Sequence, residues 1–198
     1  MNSRLFTTLI FIAACAISTG ASAHIGTDVG VHSEIGFLDG LLHPLTGLDH
    51  LAAMLAVGFW SALTARRLWT TPLAFAAILL LGASLGPAGI ELPAVEPMIA
   101  ASLLVLGLLV ALRARLPALL AAALVGVFAI FHGVAHGTEL AGAPHIWAPL
   151  LGMLATTVAL HATGLGLGLA LRRRGHWASR MAGVAVTVFG SVLLLQMV

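Results

Sequence analysis

Six stretches of this chain stay apolar long enough to approach the width of a lipid bilayer, and that property leaves very few folds open. A helix rising ~1.5 Å per residue needs about 20 residues to cross ~30 Å of hydrocarbon. Residues 43–65, 70–89, 96–112, 117–138, 147–171 and 180–198 meet or approach that length. Within lipid every backbone N–H and C=O must find its partner inside the protein, so the expectation is an all-α integral membrane protein, a bundle of six transmembrane helices. Hydrophobic residues make up 60% of the 198 and charged residues only 8%, against about 25% charged in an average soluble domain. No soluble domain is expected beside the bundle, and no Walker-type phosphate loop is present.

The turns between the spans give an orientation. Arg66 and Arg67 close the first span, Arg113 and Arg115 separate the third from the fourth, and Arg172, Arg173, Arg174 and Arg180 separate the fifth from the sixth. The alternate connections, 86–95 and 139–146, hold no arginine. Cytoplasmic loops collect Lys and Arg, so the arginine turns are expected inside. An independent signal agrees. Residues 1–23 read as a cleaved secretory signal peptide, with Arg4 as the positive region, Leu5 to Ile17 as the apolar core and Ala21-Ser22-Ala23 as the cleavage site. Residues 24–198 then form one six-helix transmembrane domain with both mature termini outside. The only cysteine, Cys15, leaves with the signal, which removes thiolate ligands and disulfides.

A short segment, Gly36 to Leu45, precedes the first full span and reads as an interfacial or re-entrant helix broken at Pro44. Gly133 and Gly137 would let the fourth span approach the first, and the series Gly164, Gly166 and Gly168 would likewise let helices approach closely. Three spans before the 113–117 turn and three after it run in opposite senses, which is compatible with a 3+3 inverted repeat. No dense basic stretch with interleaved aromatics occurs, so nucleic acid is not an expected partner. The lipid bilayer is one, and a homo-oligomer is compatible with a bundle of this size.

The charges not used for orientation gather at the opposite side. Asp28, Glu34, Asp39, Asp49, Glu91, Glu96 and Glu139 all fall toward the arginine-free ends of the spans, together with His24, His32, His43, His50, His132, His136 and His145. A face rich in carboxylate and imidazole and poor in cations is suited to admitting a divalent metal ion. Counting from the arginines gives a depth: Asp49 is 17 residues from Arg66, Glu96 is 17 from Arg113, and His132 is 17 from Arg115. Each is therefore ~25 Å from the arginine surface. His132, His136 and Glu139 repeat at i, i+4 and i+7, one side of a helix, and His43 and His50 share a side of the first span, if it continues through Pro44, with Met54 a turn further in. Isolated ionisable groups in a membrane are costly and mark a pathway or site.

Other histidines read differently. His161, 11 residues from Arg172, is expected to be a hydrogen-bonded contact between helices whose loss transport would tolerate. His176 in the arginine turn is expected to be solvated or lipid-facing. For His24, His32 and His145, recruitment of metal and ordinary loop placement both remain open.

Two segments carry a family resemblance. His43-Pro-Leu-Thr-Gly-Leu-Asp49-His50-Leu-Ala-Ala-Met54 and Phe131-His132-Gly133-Val-Ala-His136-Gly137-Thr-Glu139 resemble the two signatures of the HupE/UreJ family, and Val95-Glu96-Pro-Met-Ile-Ala-Ala-Ser102 is similar to its third helix. The likeness runs over nearly the whole chain. It implies a permease of the bacterial inner membrane that takes up nickel (or cobalt) for metalloenzymes such as hydrogenase or urease, with the metal as transported substrate and no permanent cofactor. The residues it carries over are His43, Asp49, His50, Glu96, His132, His136 and Glu139. Imidazole and carboxylate suit Ni²⁺, Co²⁺ and Zn²⁺ alike. An intramembrane zinc-dependent hydrolase and a metal-sensing accessory subunit are the competing readings; the permease reading makes the protein no enzyme.

Overall fold

The computed structural model describes residues 35–140, 145–172 and 176–197. The expectations for the leader, for His24, Asp28, His32 and Glu34, and for Arg173 and Arg174 concern residues outside those described. Within them the chain is all-helical, with seven helices: α1 (Phe37–Thr46), α2 (Leu48–Thr64), α3 (Thr70–Leu85), α4 (Val95–Leu112), α5 (Ala118–Glu139), α6 (Trp147–Arg172) and α7 (His176–Gln196). Four of them, α4 to α7, are long and apolar enough to cross a membrane, and α2 and α3 are shorter apolar helices of 17 and 16 residues.

The chain departs from the expected spans in three places. The run 43–65 is not one helix: it divides at Gly47, whose φ of −88° and ψ of 110° are extended. The break expected at Pro44 does not occur there, because proline near a helix end removes a single bond, here the one to Gly40, and the helix needs only two more residues. Thr46 Oγ1 then donates to His43 O at 2.7 Å, and α2 starts afresh with Leu51 N donating to Gly47 O at 2.9 Å. Asp49 Oδ1 accepts the His50 amide at 2.8 Å, supplying one of the partners that a first turn lacks. The second span ends at Leu85 rather than 89, since Gly89, at φ +73°, closes a turn in which Ile90 N returns to Leu85 O. The last helix begins at His176, four residues before the expected start.

Helices pair through glycines. α2 and α6 run parallel with Gly58 against the backbone of His161 and Leu165, and Gly164 against that of Leu55 and Phe59. α3 and α5 also run parallel, with Gly133 on the backbone of Leu79 and Ala83, and Gly137 on that of Ala83. Gly166, by contrast, faces open space. α4 and α7 run antiparallel through Gly107 and Gly183. Without a hydrophobic drive between helices in lipid, such close backbone approach is the main source of association. The core between the pairs holds Met54, Val57, Trp60, Phe75, Leu79, Leu103, Leu106 and Val125.

Polar groups at the arginine end are tied down by protein partners. Trp60 Nε1 donates to Ala114 O at 2.9 Å, Ser61 Oγ to Leu68 O at 2.8 Å, and Arg113 Nε to Ser179 Oγ at 2.8 Å. These bonds join α2 to the turns that follow α2 and α4, and the end of α4 to α7.

Candidate metal centre

The other end is built around imidazoles from α1, α2 and α5. Glu139, the last residue of α5, places Oε2 at 3.0 Å from Nε2 of His43 on α1 and 3.7 Å from Nδ1 of His136, one turn back on α5. Available ligand atoms of these three residues all lie within 4.8 Å of one another. Their side-chain exposure falls from 42% at Glu139 to 18% at His43 and 2% at His136. Carboxylate at the mouth and buried imidazole beneath it is an arrangement that would first attract a cation and then replace its water.

The group continues inward. The His136 ring centroid is 4.9 Å from that of His43 and 4.5 Å from that of His50, and His50 is 5.0 Å from His132. Four imidazoles from three helices are thus in serial contact, with the break at Gly47 beside them. That break corrects the expectation that His43 and His50 share a side of one continuous helix: they sit on two helices, and both still reach His136. The expected face of α5 is present, since His132 and His136 both meet His50 while Glu139 meets His43 and His136.

Hydrogen bonds fix which nitrogen of these rings carries the proton. His132 Nδ1 lies 2.9 Å from Phe128 O, and a carbonyl only accepts, so Nδ1 is the N–H. His50 Nδ1 lies 3.0 Å from Asp49 Oδ1 and donates to that carboxylate. In each ring Nε2 is left with its lone pair, buried and without a hydrogen-bond partner. Both nitrogens of His136 lack one as well. Metal-binding histidines show this pattern, one nitrogen held by an oxygen and the other turned to the ion. Leaving a buried polar atom unpaired costs about 1–3 kcal/mol, and every buried unpaired side-chain N or O among the described residues is an imidazole nitrogen.

Of the seven expected ligands, six are brought together: His43, Asp49, His50, His132, His136 and Glu139. Glu96 is not. It lies exposed in the first turn of α4, and among the described residues no hydrogen bond or ion pair joins it to the group. Gly133 and Gly137 also differ from expectation, for they bring α5 onto α3 rather than onto α2. Successive helical residues are ~100° apart, so a glycine following a histidine faces a different neighbour. α2 and α5 meet instead through the imidazoles themselves.

His161 makes the interhelical bond expected of it, Nδ1 to Met54 O at 2.8 Å. His145 and His176 are exposed. One residue escaped the sequence reading: the Phe75 ring stands edge-on to both His132 and His161, at centroid distances of 5.5 and 5.3 Å. A phenylalanine in an apolar helix carries no signal of such a role.

Comparison with known proteins agrees with the motifs. The HupE / UreJ protein family matches over residues 12–193. The chain is also 44% identical, over 195 residues and 98% of both chains, to Protein HupE of Rhizobium leguminosarum bv. viciae. No solved structure matches.

Proposed function

The chain belongs to the HupE/UreJ family, and from that membership we propose that it is an inner-membrane permease for a divalent transition metal, nickel or cobalt, supplying enzymes such as hydrogenase or urease. The observation that carries this reading is the row of buried imidazoles whose tautomers are set by Asp49 Oδ1 and Phe128 O and whose remaining nitrogens have no protein partner. Glu139 and His43 form the entrance, His136 and His50 accept the ion, and His132 lies beneath them. Borderline nitrogen donors with one or two carboxylates suit Ni²⁺ and Co²⁺. Ligands spread along a path, none enclosing the ion, favour release as well as entry.

The helical scaffold supports transport in two ways. Substrate sites of secondary transporters are commonly built on discontinuous helices near a repeat interface, and here the α1–α2 break immediately precedes Asp49 and His50. The pairing pattern also suits an inverted repeat: matching α2, α3 and α4 with α5, α6 and α7 exchanges the α2·α6 pair with the α5·α3 pair and returns α4·α7 to itself. In this reading α2 and α3 complete six spans, the arginine turns are cytoplasmic, and both mature termini are periplasmic. A helix of 17 residues, ~25 Å, crosses by local thinning of the bilayer.

The inward-negative potential, worth ~2.3 kcal/mol per charge per 100 mV, drives the cation inward without ATP. Imidazole binds metal only when neutral, so uptake should fall as the outside is acidified. The deciding experiment places purified protein in liposomes around a metal indicator: inward movement of Ni²⁺ or Co²⁺ is expected. Turnover of a lipid or peptide without metal movement would replace the permease by a hydrolase, and neither activity would leave a sensor. Orientation is tested by Ala94→Cys, which an impermeant thiol reagent should label in spheroplasts, and Thr70→Cys, which it should not.

A further inference from the structure

One buried histidine stands apart from the group at the mouth. His161, in the middle of α6, is fully buried, and its Nδ1 donates to Met54 O of α2. That bond accounts for one nitrogen only. Nε2 is buried with no partner, as in His50 and His132. Three rings on three helices therefore share one arrangement: Nδ1–H held by a fixed oxygen, Nε2 left with a free lone pair. A residue kept only to tie α6 to α2 needs no second buried nitrogen, and burying one unpaired is unfavourable.

Placement gives the second observation. Counted from the arginine turns, His132 is 17 residues deep and His161 is 11, which puts His161 ~9 Å nearer the arginine end. The gap is occupied by Phe75, fully buried, whose ring is in edge contact with both imidazoles. An apolar ring between two such nitrogens is suited to closing a path by excluding water.

We propose that His161 is a second station for the transported cation, reached from His132 past the ring of Phe75, with Nε2 as the ligand atom and the bond to Met54 O holding the tautomer. The inference rests on the permease reading and deepens it. It also revises the expectation that His161 is packing alone: the packing bond is present, and it orients a ligand.

Asparagine at this position can still donate to Met54 O but has nothing at the place of Nε2. His161→Asn in liposomes should therefore take up Ni²⁺ about tenfold more slowly or worse, the scale on which disturbed metal sites lose activity, while binding of Co²⁺ at the mouth stays within about twofold of wild type. Wild-type uptake by His161→Asn at equal abundance would overturn the station and leave the permease intact, whereas a wild-type protein that moves no Ni²⁺ would remove both. Should His161→Asn be lost from the membrane, wild-type protein carrying ¹⁵N-histidine gives the answer. Saturating Co²⁺ should broaden the ring signals of His161, identified by their proximity to the Met54 backbone; broadening confined to the rings at the mouth would overturn the proposal.

Discussion

The two ends of the bundle treat buried polar groups in opposite ways. At the arginine end the indole of Trp60, the hydroxyl of Ser61 and the guanidinium of Arg113 each donate to an oxygen of the protein. At the carboxylate end His50, His132 and His136 keep unpaired nitrogens. A satisfied polar group stabilises the fold by locking turns to helices, and an unsatisfied one lowers stability until a ligand meets it. If the proposed function holds, one end keeps the shape and the other binds, and mutations at the two should separate stability from transport.

The largest effect is expected within the imidazole row. His50→Leu or His136→Leu should lower uptake about a hundredfold, and for His136→Leu, which removes two unpaired nitrogens, membrane abundance should equal or exceed wild type. The double substitution should cost little more than either single one, since residues acting as a unit are not additive. Multiplicative losses at equal abundance would show two independent steps, and normal uptake in both single variants would remove the site.

Next in size is a change that attacks the scaffold without touching a ligand. Gly133→Val would drive a side chain into the Leu79 and Ala83 backbone, overpacking that costs about 1–3 kcal/mol or more. Abundance and uptake should fall together. Gly166→Ala, facing open space, should leave both unchanged; equal damage from the two would mean that backbone approach is not what holds α3 to α5.

These two tests also mark what was legible in the sequence. Arginine spacing and apolar length placed α4, α5 and α6 to within a residue at either end, because hydrophobicity and the breakers around Pro117 and Arg113 act locally. The i, i+4, i+7 pattern placed His132, His136 and Glu139 on one side of α5 for the same reason. What failed depended on three-dimensional neighbours. The break at Gly47 instead of Pro44 follows from where α1 and α2 each find partners, and the orientation of Gly133 toward α3 follows from which helix lies beside α5. Phe75 was invisible because its role depends on two rings from other helices. Depth counting also grouped Glu96 with Asp49 and His132, yet depth does not specify azimuth, and Glu96 stands exposed outside the group.

That difference gives a smaller prediction. Glu96 on the same face as the mouth can raise the local concentration of cations through its charge, a long-range effect that salt screens. Glu96→Gln should raise the KM for Ni²⁺ a few fold at low ionic strength, leave the maximal rate unchanged, and lose its effect in high salt. A collapse of the maximal rate would instead make Glu96 a ligand in a conformation that brings α4 to the row.

The smallest effect on uptake is expected at the arginine end, and there the comparison is sharpest. Trp60→Phe keeps an aromatic ring in the core but removes the donor to Ala114 O, so it should cost about 1 kcal/mol, or about 2–4 °C in Tm for a chain of this length. Uptake per folded protein should not change, since no step of the proposed path runs through that bond. If Trp60→Phe impaired transport at unchanged Tm, the bond between α2 and the α4–α5 turn would belong to the moving parts, and the arginine end could no longer be regarded as the fixed base against which the imidazole end works.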